Sequence, residues 1–221
     1  MIDLPALPKR IARLPKDERG YPVPWFVAWM YAGEPCPPGQ GEPDFRIIGP
    51  GKLWTAYTRH RCWVCGDPLG QHKVYAIGPM CVINRVTSEP PSHRECAEFA
   101  AIACPFLTRP RQKRDKKDMP EETFIAGNHI DRNPGAVCLY ETSTVKAFRA
   151  GDGYLFNLGL PDRIDWYSSG RRATRAEIEL SITTGYPLLY KMAKEEGPEA
   201  VHELERMREA AWKLLPEGAK Q

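Results

Sequence analysis

The spacing of apolar positions along the chain changes from a period near two to a period near four, and that change separates strands from helices. In the first fifty residues, Pro24-Trp25-Phe26-Val27-Ala28-Trp29 predicts a short buried strand or turn. Asp44-Phe45-Arg46-Ile47-Ile48 alternates in the manner of a half-buried strand and ends at Gly49-Pro50-Gly51. Residues 33–43 read as a loop by composition, and residues 52–60 as a short helix. Residues 73–77 and 80–85, on either side of Gly78-Pro79, read as a hairpin. Further on, residues 136–140, 145–148, 154–158 and 164–167 predict a small antiparallel sheet, with Gly151-Asp152-Gly153 as one of its turns.

The last fifty residues have the helical period. Thr174-Arg175-Ala176-Glu177 is a capping-box pattern, with Thr174 as N-cap and Glu177 reaching back to it. The helix it opens is expected to run to about Thr184 and stop before Gly185-Tyr186-Pro187. A second helix covers 188–195. Gly197-Pro198 then starts a third, reaching about Leu215, with Val201, Leu204, Met207, Ala211, Leu214 and Leu215 on one side.

Composition changes this picture in three ways. Proline makes up 22 of 221 residues, about twice the usual ~5%, so turns and short elements should be abundant. The formal net charge is only +3, so any nucleic-acid contact needs a local basic patch. No apolar stretch approaches the ~20 residues of a membrane span, and the first residues lack the pattern of a secretion signal, which gives a cytoplasmic reading. Seven cysteines cannot all pair within one chain, and in a reducing compartment clustered cysteines are more often metal ligands than disulfides.

Cys62-Trp63-Val64-Cys65-Gly66 is a Cys-x-x-Cys pair closed by glycine, a spacing that turns two sulfurs toward one tetrahedral ion. Gly66 permits the positive φ that such a knuckle uses. His93 and Cys96, three apart in Pro90-Pro91-Ser92-His93-Arg94-Glu95-Cys96, share one face at the start of an apolar helix. A redox pair or disulfide at Cys62 and Cys65 is the alternative. Redox Cys-x-x-Cys motifs open helices, however, and this one runs into Gly66-Asp67-Pro68-Leu69-Gly70. A knuckle pair, a hairpin and a ligand pair at a helix N-terminus resemble the treble-clef zinc fingers over about residues 60–105. The resemblance implies one structural zinc on Cys62, Cys65, His93 and Cys96. Four protein ligands fill the shell, whereas a catalytic zinc keeps a position open. Cys81 and Cys104 are expected in the core, and Cys36 and Cys138 as bystanders. Trp25, Trp29, Trp63 and Trp166 are expected to be core residues too.

Two further signals bear on function. Residues 109–122 open with a basic run in which Arg109, Arg111, Lys113, Arg114, Lys116 and Lys117 stand against one Asp. Following the zinc-site helix, this run suits a phosphate backbone, while a solvated linker is the plain alternative. Asn128-His129-Ile130-Asp131-Arg132-Asn133 raises a second function, a metal-dependent endonuclease using His129 and Asp131, although no second histidine follows at ligand spacing. No phosphate loop, nucleophile elbow or zinc-deaminase pattern is present. Phrases such as Ile77-Gly78-Pro79-Met80-Cys81, Ala103-Cys104-Pro105-Phe106-Leu107 and Gly170-Arg171-Arg172-Ala173-Thr174 resemble proteins of bacteriophages and prophages, which implies a mobile-element origin.

The chain therefore reads as α+β, with a treble-clef-like zinc module, a small antiparallel sheet and C-terminal helices. Its expected layout is a proline-rich segment (1–60), the zinc-binding module (61–108), a basic linker (109–122) and an α+β region (123–221). The leading expectation is a non-enzymatic binding protein of phage type that contacts nucleic acid or a host protein. A protein-only inhibitor or adaptor is the third possibility.

Overall fold

The computed structural model describes residues 4–109, 135–151 and 153–217, and within them the fold is α+β. After the short α1 (Lys9–Ala12), β1 (Val27–Tyr31), β2 (Glu34–Cys36) and β3 (Glu42–Ile48) form a three-stranded antiparallel sheet in the order β2-β1-β3. Residues 33–43 thus contain a strand as well as loop. Ala32 and Gly33 both take positive φ (51° and 85°), the geometry of a tight hairpin turn, and so bring β2 back along β1.

A four-stranded sheet organises the rest. Its order is β10 (Arg171–Arg172), β9 (Arg163–Ser168), β6 (Val137–Thr142), β4 (Lys73–Ile77). β4 runs antiparallel to β6 from Lys73↔Thr142 to Ile77↔Cys138, so segments on either side of residues 110–134 share one sheet. β6 reads Val-Cys-Leu-Tyr without polar alternation because it is covered on both faces. Val137 and Leu139 meet Ala97 and Ala101 of α4 (Arg94–Ala103), while Cys138 and Tyr140 face the larger core. That core gathers Val82 and Ile83 of α3 (Pro79–Asn84), Ile178 and Ile182 of α6 (Arg175–Glu196), and Leu204 and Ala211 of α7 (Pro198–Trp212). The third sheet, in the order β5-β8-β7, joins β5 (Val86–Thr87) to the hairpin of β7 (Val145–Ala150) and β8 (Gly153–Leu158).

Three expectations are corrected. The strands predicted beyond residue 136 do not form one sheet: β6 and β9 join β4, while β7 and β8 join β5. The hairpin expected around Gly78-Pro79 is a strand followed by helix α3. Gly78 is extended, Pro79 takes the first helical position where its missing N–H costs nothing, and β4 finds its partner in β6. The helix that opens at Thr174 does not stop at Gly185. α6 continues through Gly185 and Pro187 to Glu196. Gly185 is buried against Met80 of α3, whose side chain would lie 3.2 Å from an added Cβ, so the glycine serves a close approach. Pro187 is exposed, and the burial of Ile178, Ile182 and Ala193 with packing by Tyr186, Leu189 and Tyr190 outweighs its helix-breaking tendency. The capping box forms as read: Glu177 N–H donates to Thr174 Oγ1 (3.3 Å) and Thr174 N–H to Glu177 Oε2 (2.8 Å). Among the described residues no helix is long and apolar enough to cross a membrane.

Candidate metal centre

The first ligand pair sits in a turn knotted by its own backbone. Cys62 N–H donates to Asp67 O (2.8 Å), Gly66 N–H to Cys62 O (2.9 Å) and Leu69 N–H to His60 O (2.8 Å). Gly66 has φ +77°, and a Cβ there would lie 2.5 Å from the Trp25 ring. The position is thus glycine for two independent reasons. The second pair is delivered by one antiparallel bridge, in which Val74 and Ser92 exchange both backbone bonds (3.1 and 2.8 Å). The chain then enters α4 with His93 as an extended N-cap and Cys96 in the first turn. The bridge takes the place of the expected hairpin, with α3 and β5 inserted between its two sides.

Cys62, Cys65, His93 and Cys96 are placed to bind a metal ion: their four donor atoms all lie within 4.8 Å of one another. A tetrahedral ion with bonds of about 2.0–2.3 Å needs donor-to-donor edges of roughly 3.4–3.8 Å. Cys65 Sγ is 3.4 Å from His93 Nδ1, and Cys96 Sγ is 4.0 Å from it. His93 Nε2 lies 3.0 Å from the Pro68 carbonyl oxygen. A carbonyl only accepts, so Nε2 carries the proton and Nδ1 turns its lone pair to the sulfurs, the outer-sphere arrangement that fixes a ligand histidine's tautomer.

The thiols perturb one another strongly. Bonds from the Cys65 and Cys96 side chains, then from the N–H groups of Cys65 and His93, hold Cys62 far below the usual thiol range. Cys62 in turn pushes Cys65 up to about 11, and Cys62 and Cys65 together raise Cys96 well above its ordinary value. A cation bound among them would let all three ionise together.

The N-terminal segment covers this module. Ile11 packs with Cys62, Val64 and Cys96, flanked by Leu7, Leu14, Leu69 and Phe99. Asp67 accepts from Arg10 (2.8 Å) and Arg13 (2.6 Å), and its carboxyl is lowered first by the Arg10 bond. Arg10 also pairs with Glu95 at 3.0 Å. On the other side, Arg94 ties α4 to the sheet. It bonds Glu141 of β6 and Asp165 of β9 (2.6 Å), and Asp165 also meets Arg163 and Arg172. Sequence reasoning missed Arg94 and Asp67, whose only signal is that they adjoin ligands or the knuckle.

All seven cysteines are free, so no disulfide joins Cys62 to Cys65. Cys138 is buried in the core, while Cys36, Cys81 and Cys104 are partly buried outside the cluster. Trp29, Trp63 and Trp166 are buried, as expected of core residues, and Trp25 is half-buried over Gly66. Arg109 is exposed after the one-turn helix α5 (Pro105–Thr108). Arg111, Lys113, Arg114, Lys116 and Lys117 lie outside the described residues, as do His129 and Asp131. Comparison with protein-family models, with curated proteins and with solved structures finds no match.

Proposed function

We propose that this chain is a non-enzymatic binding protein of phage type, held by one structural zinc ion on Cys62, Cys65, His93 and Cys96, and that it contacts nucleic acid. The observation that carries the zinc reading is the closure of the site: three sulfurs and one imidazole nitrogen converge, with Cys62 and Cys96 fully buried. Three soft thiolates and an imidazole in a compact tetrahedral set suit zinc. The ion would supply the positive charge that three adjoining thiolates need, and it would join the knuckle to α4. Four side chains leave no open position for water or substrate, so the site serves architecture. The basic run from Arg109 to Lys117, which begins where α4 and α5 end, supports contact with phosphates.

Two measurements test this reading. Metal analysis of the purified protein should give one zinc per chain, with Cys96→Ser losing both the zinc and a large part of the thermal stability. An unchanged thermal midpoint in a zinc-free Cys96→Ser protein would refute a structural ion. Binding to a fluorescent oligonucleotide should weaken steeply with salt, and neutralising Arg111, Lys113 and Arg114 should flatten that dependence by about 0.7–0.9 for each phosphate no longer neutralised. If no oligonucleotide binds and a host protein is recovered instead, the chain is a protein-only adaptor.

A further inference from the structure

An aromatic ladder climbs from the core to the surface where α2 (Lys52–Thr58) meets the β7–β8 hairpin. Tyr75 and Phe156 form its buried end, with ring centroids 5.8 Å apart. Tyr57 and Tyr154 stack above them at 4.1 Å and 21°. Trp54 completes the ladder, 5.9 Å from Tyr154 and 6.4 Å from Tyr57, and 57% of its surface is exposed. Both tyrosines meet its ring at a tilt, 49° for Tyr57 and 45° for Tyr154, and leave more than half of the residue exposed.

The charges around this ring have one dominant sign. Residues 47–66, which include α2, hold no acidic residue; of their cations Arg59 is exposed, while Lys52 lies over the Trp25 ring and Arg61 bonds the Gly66 carbonyl. Arg149 stands directly opposite Tyr154 in the β7–β8 register, on the same face of the hairpin, and is exposed. Glu89 lies in the narrow crevice beside Tyr154. Two exposed arginines, Arg59 at the end of α2 and Arg149 on β7, thus stand on the elements that carry the exposed tryptophan.

We infer that Trp54, backed by Tyr57 and Tyr154 and flanked by Arg149, is a stacking platform for an unpaired base of single-stranded nucleic acid. Stacking on an open aromatic face needs a base outside a duplex, and a neighbouring cation needs a phosphate. Single-stranded nucleic acid supplies both. A protein-docking tryptophan would sit among further apolar side chains. The exposed neighbours of Trp54 on and after α2 are Thr58, Arg59 and His60 instead. The inference rests on the nucleic-acid reading above and assigns it further residues besides the basic run.

The test uses the full-length zinc-loaded protein with a fluorescent 12-nucleotide strand and the matching duplex, read by anisotropy over a range of salt. The single strand should bind more tightly than the duplex. Trp54→Ala should weaken single-strand binding by about tenfold or more, with the salt dependence, zinc content and thermal midpoint unchanged. Trp54→Phe should restore much of the affinity, and Arg149→Gln should reduce the salt slope by about 0.7. If the wild type binds nucleic acid but Trp54→Ala matches it, while neutralising residues 109–117 weakens binding, the platform is refuted and the nucleic-acid reading stands. If the wild type binds neither strand nor duplex, both fall. Loss of self-association in Trp54→Ala with nucleic-acid binding intact would identify an interface between copies and also refute the platform.

Discussion

Single residues carry most of what the metal module requires, and they differ in how visible they are before folding. The four ligands were legible because each pair is local: a Cys-x-x-Cys-Gly knuckle and a His-x-x-Cys helix start have their geometry written into spacing. The proton on His93 Nε2 was not legible, since the Pro68 carbonyl reaches it only after the knuckle closes on α4. Gly66 was legible for its φ and not for the Trp25 ring lying against it. Gly66→Ala should therefore destabilise the protein by about 3 kcal/mol, combining left-handed strain with overpacking. Urea unfolding checks this, and a loss below half that value would mean Trp25 moves aside freely. Arg94 was invisible because Glu141 and Asp165 come from distant strands. Both carboxylates are only 14% exposed, and although Asp165 keeps Arg163 and Arg172, Arg94→Ala leaves Glu141 without its arginine and with little water. A cost of about 3 kcal/mol is expected in the same assay.

Elements were legible where their ends are set locally and obscure where a distant partner decides. The start of α6 belongs to the first kind. Its capping carboxylate, Glu177, is pulled down to about 2, chiefly by the bond from Arg171 and then by Thr174 N–H. Because the folded value is below the unfolded value of about 4.3, this stabilisation is complete above that pH and disappears as pH falls toward 2. Glu177→Gln should remove that part of the acid dependence, and thermal midpoints from pH 2 to 6 measure it. An identical pH profile in the variant would show that other carboxylates control it. The middle of α6 belongs to the second kind. Gly185 and Pro187 both say stop, yet packing on α3 and the core carries the helix onward. Since Pro187 is exposed, Pro187→Ala restores a bond to the Thr183 carbonyl without loss of buried contacts, and should raise stability by about 1–3 kcal/mol. α3 was obscure for the same reason: a short apolar run following a glycine does not disclose whether its strand neighbour pairs locally or with β6.

For the whole molecule, the α+β class was legible from the two apolar periods, whereas the distribution of strands among three sheets was not, because β4 and β6 meet across more than fifty residues of chain. The same long-range assembly makes the first residues dependent on the metal module. Ile11 lies on Cys62 and Cys96, and Arg10 and Arg13 grip Asp67, so removing the ion should loosen that clasp. Trypsin should then cut after Arg10 or Arg13 much faster in chelator-treated protein than in zinc-loaded protein, and equal rates would show that the clasp holds without metal. The order of synthesis adds a constraint of its own. A ribosome releases Arg10 and Ile11 long before His93 and Cys96, so the segment of α1 has no finished seat until those residues emerge. If the site binds its ion as proposed, that segment would wait unseated until both ligand pairs have emerged and captured one. On the zinc reading proposed above, the cell's supply of free zinc would then govern how long each newborn chain stays vulnerable to proteases and chaperones, and through that how much of the protein accumulates.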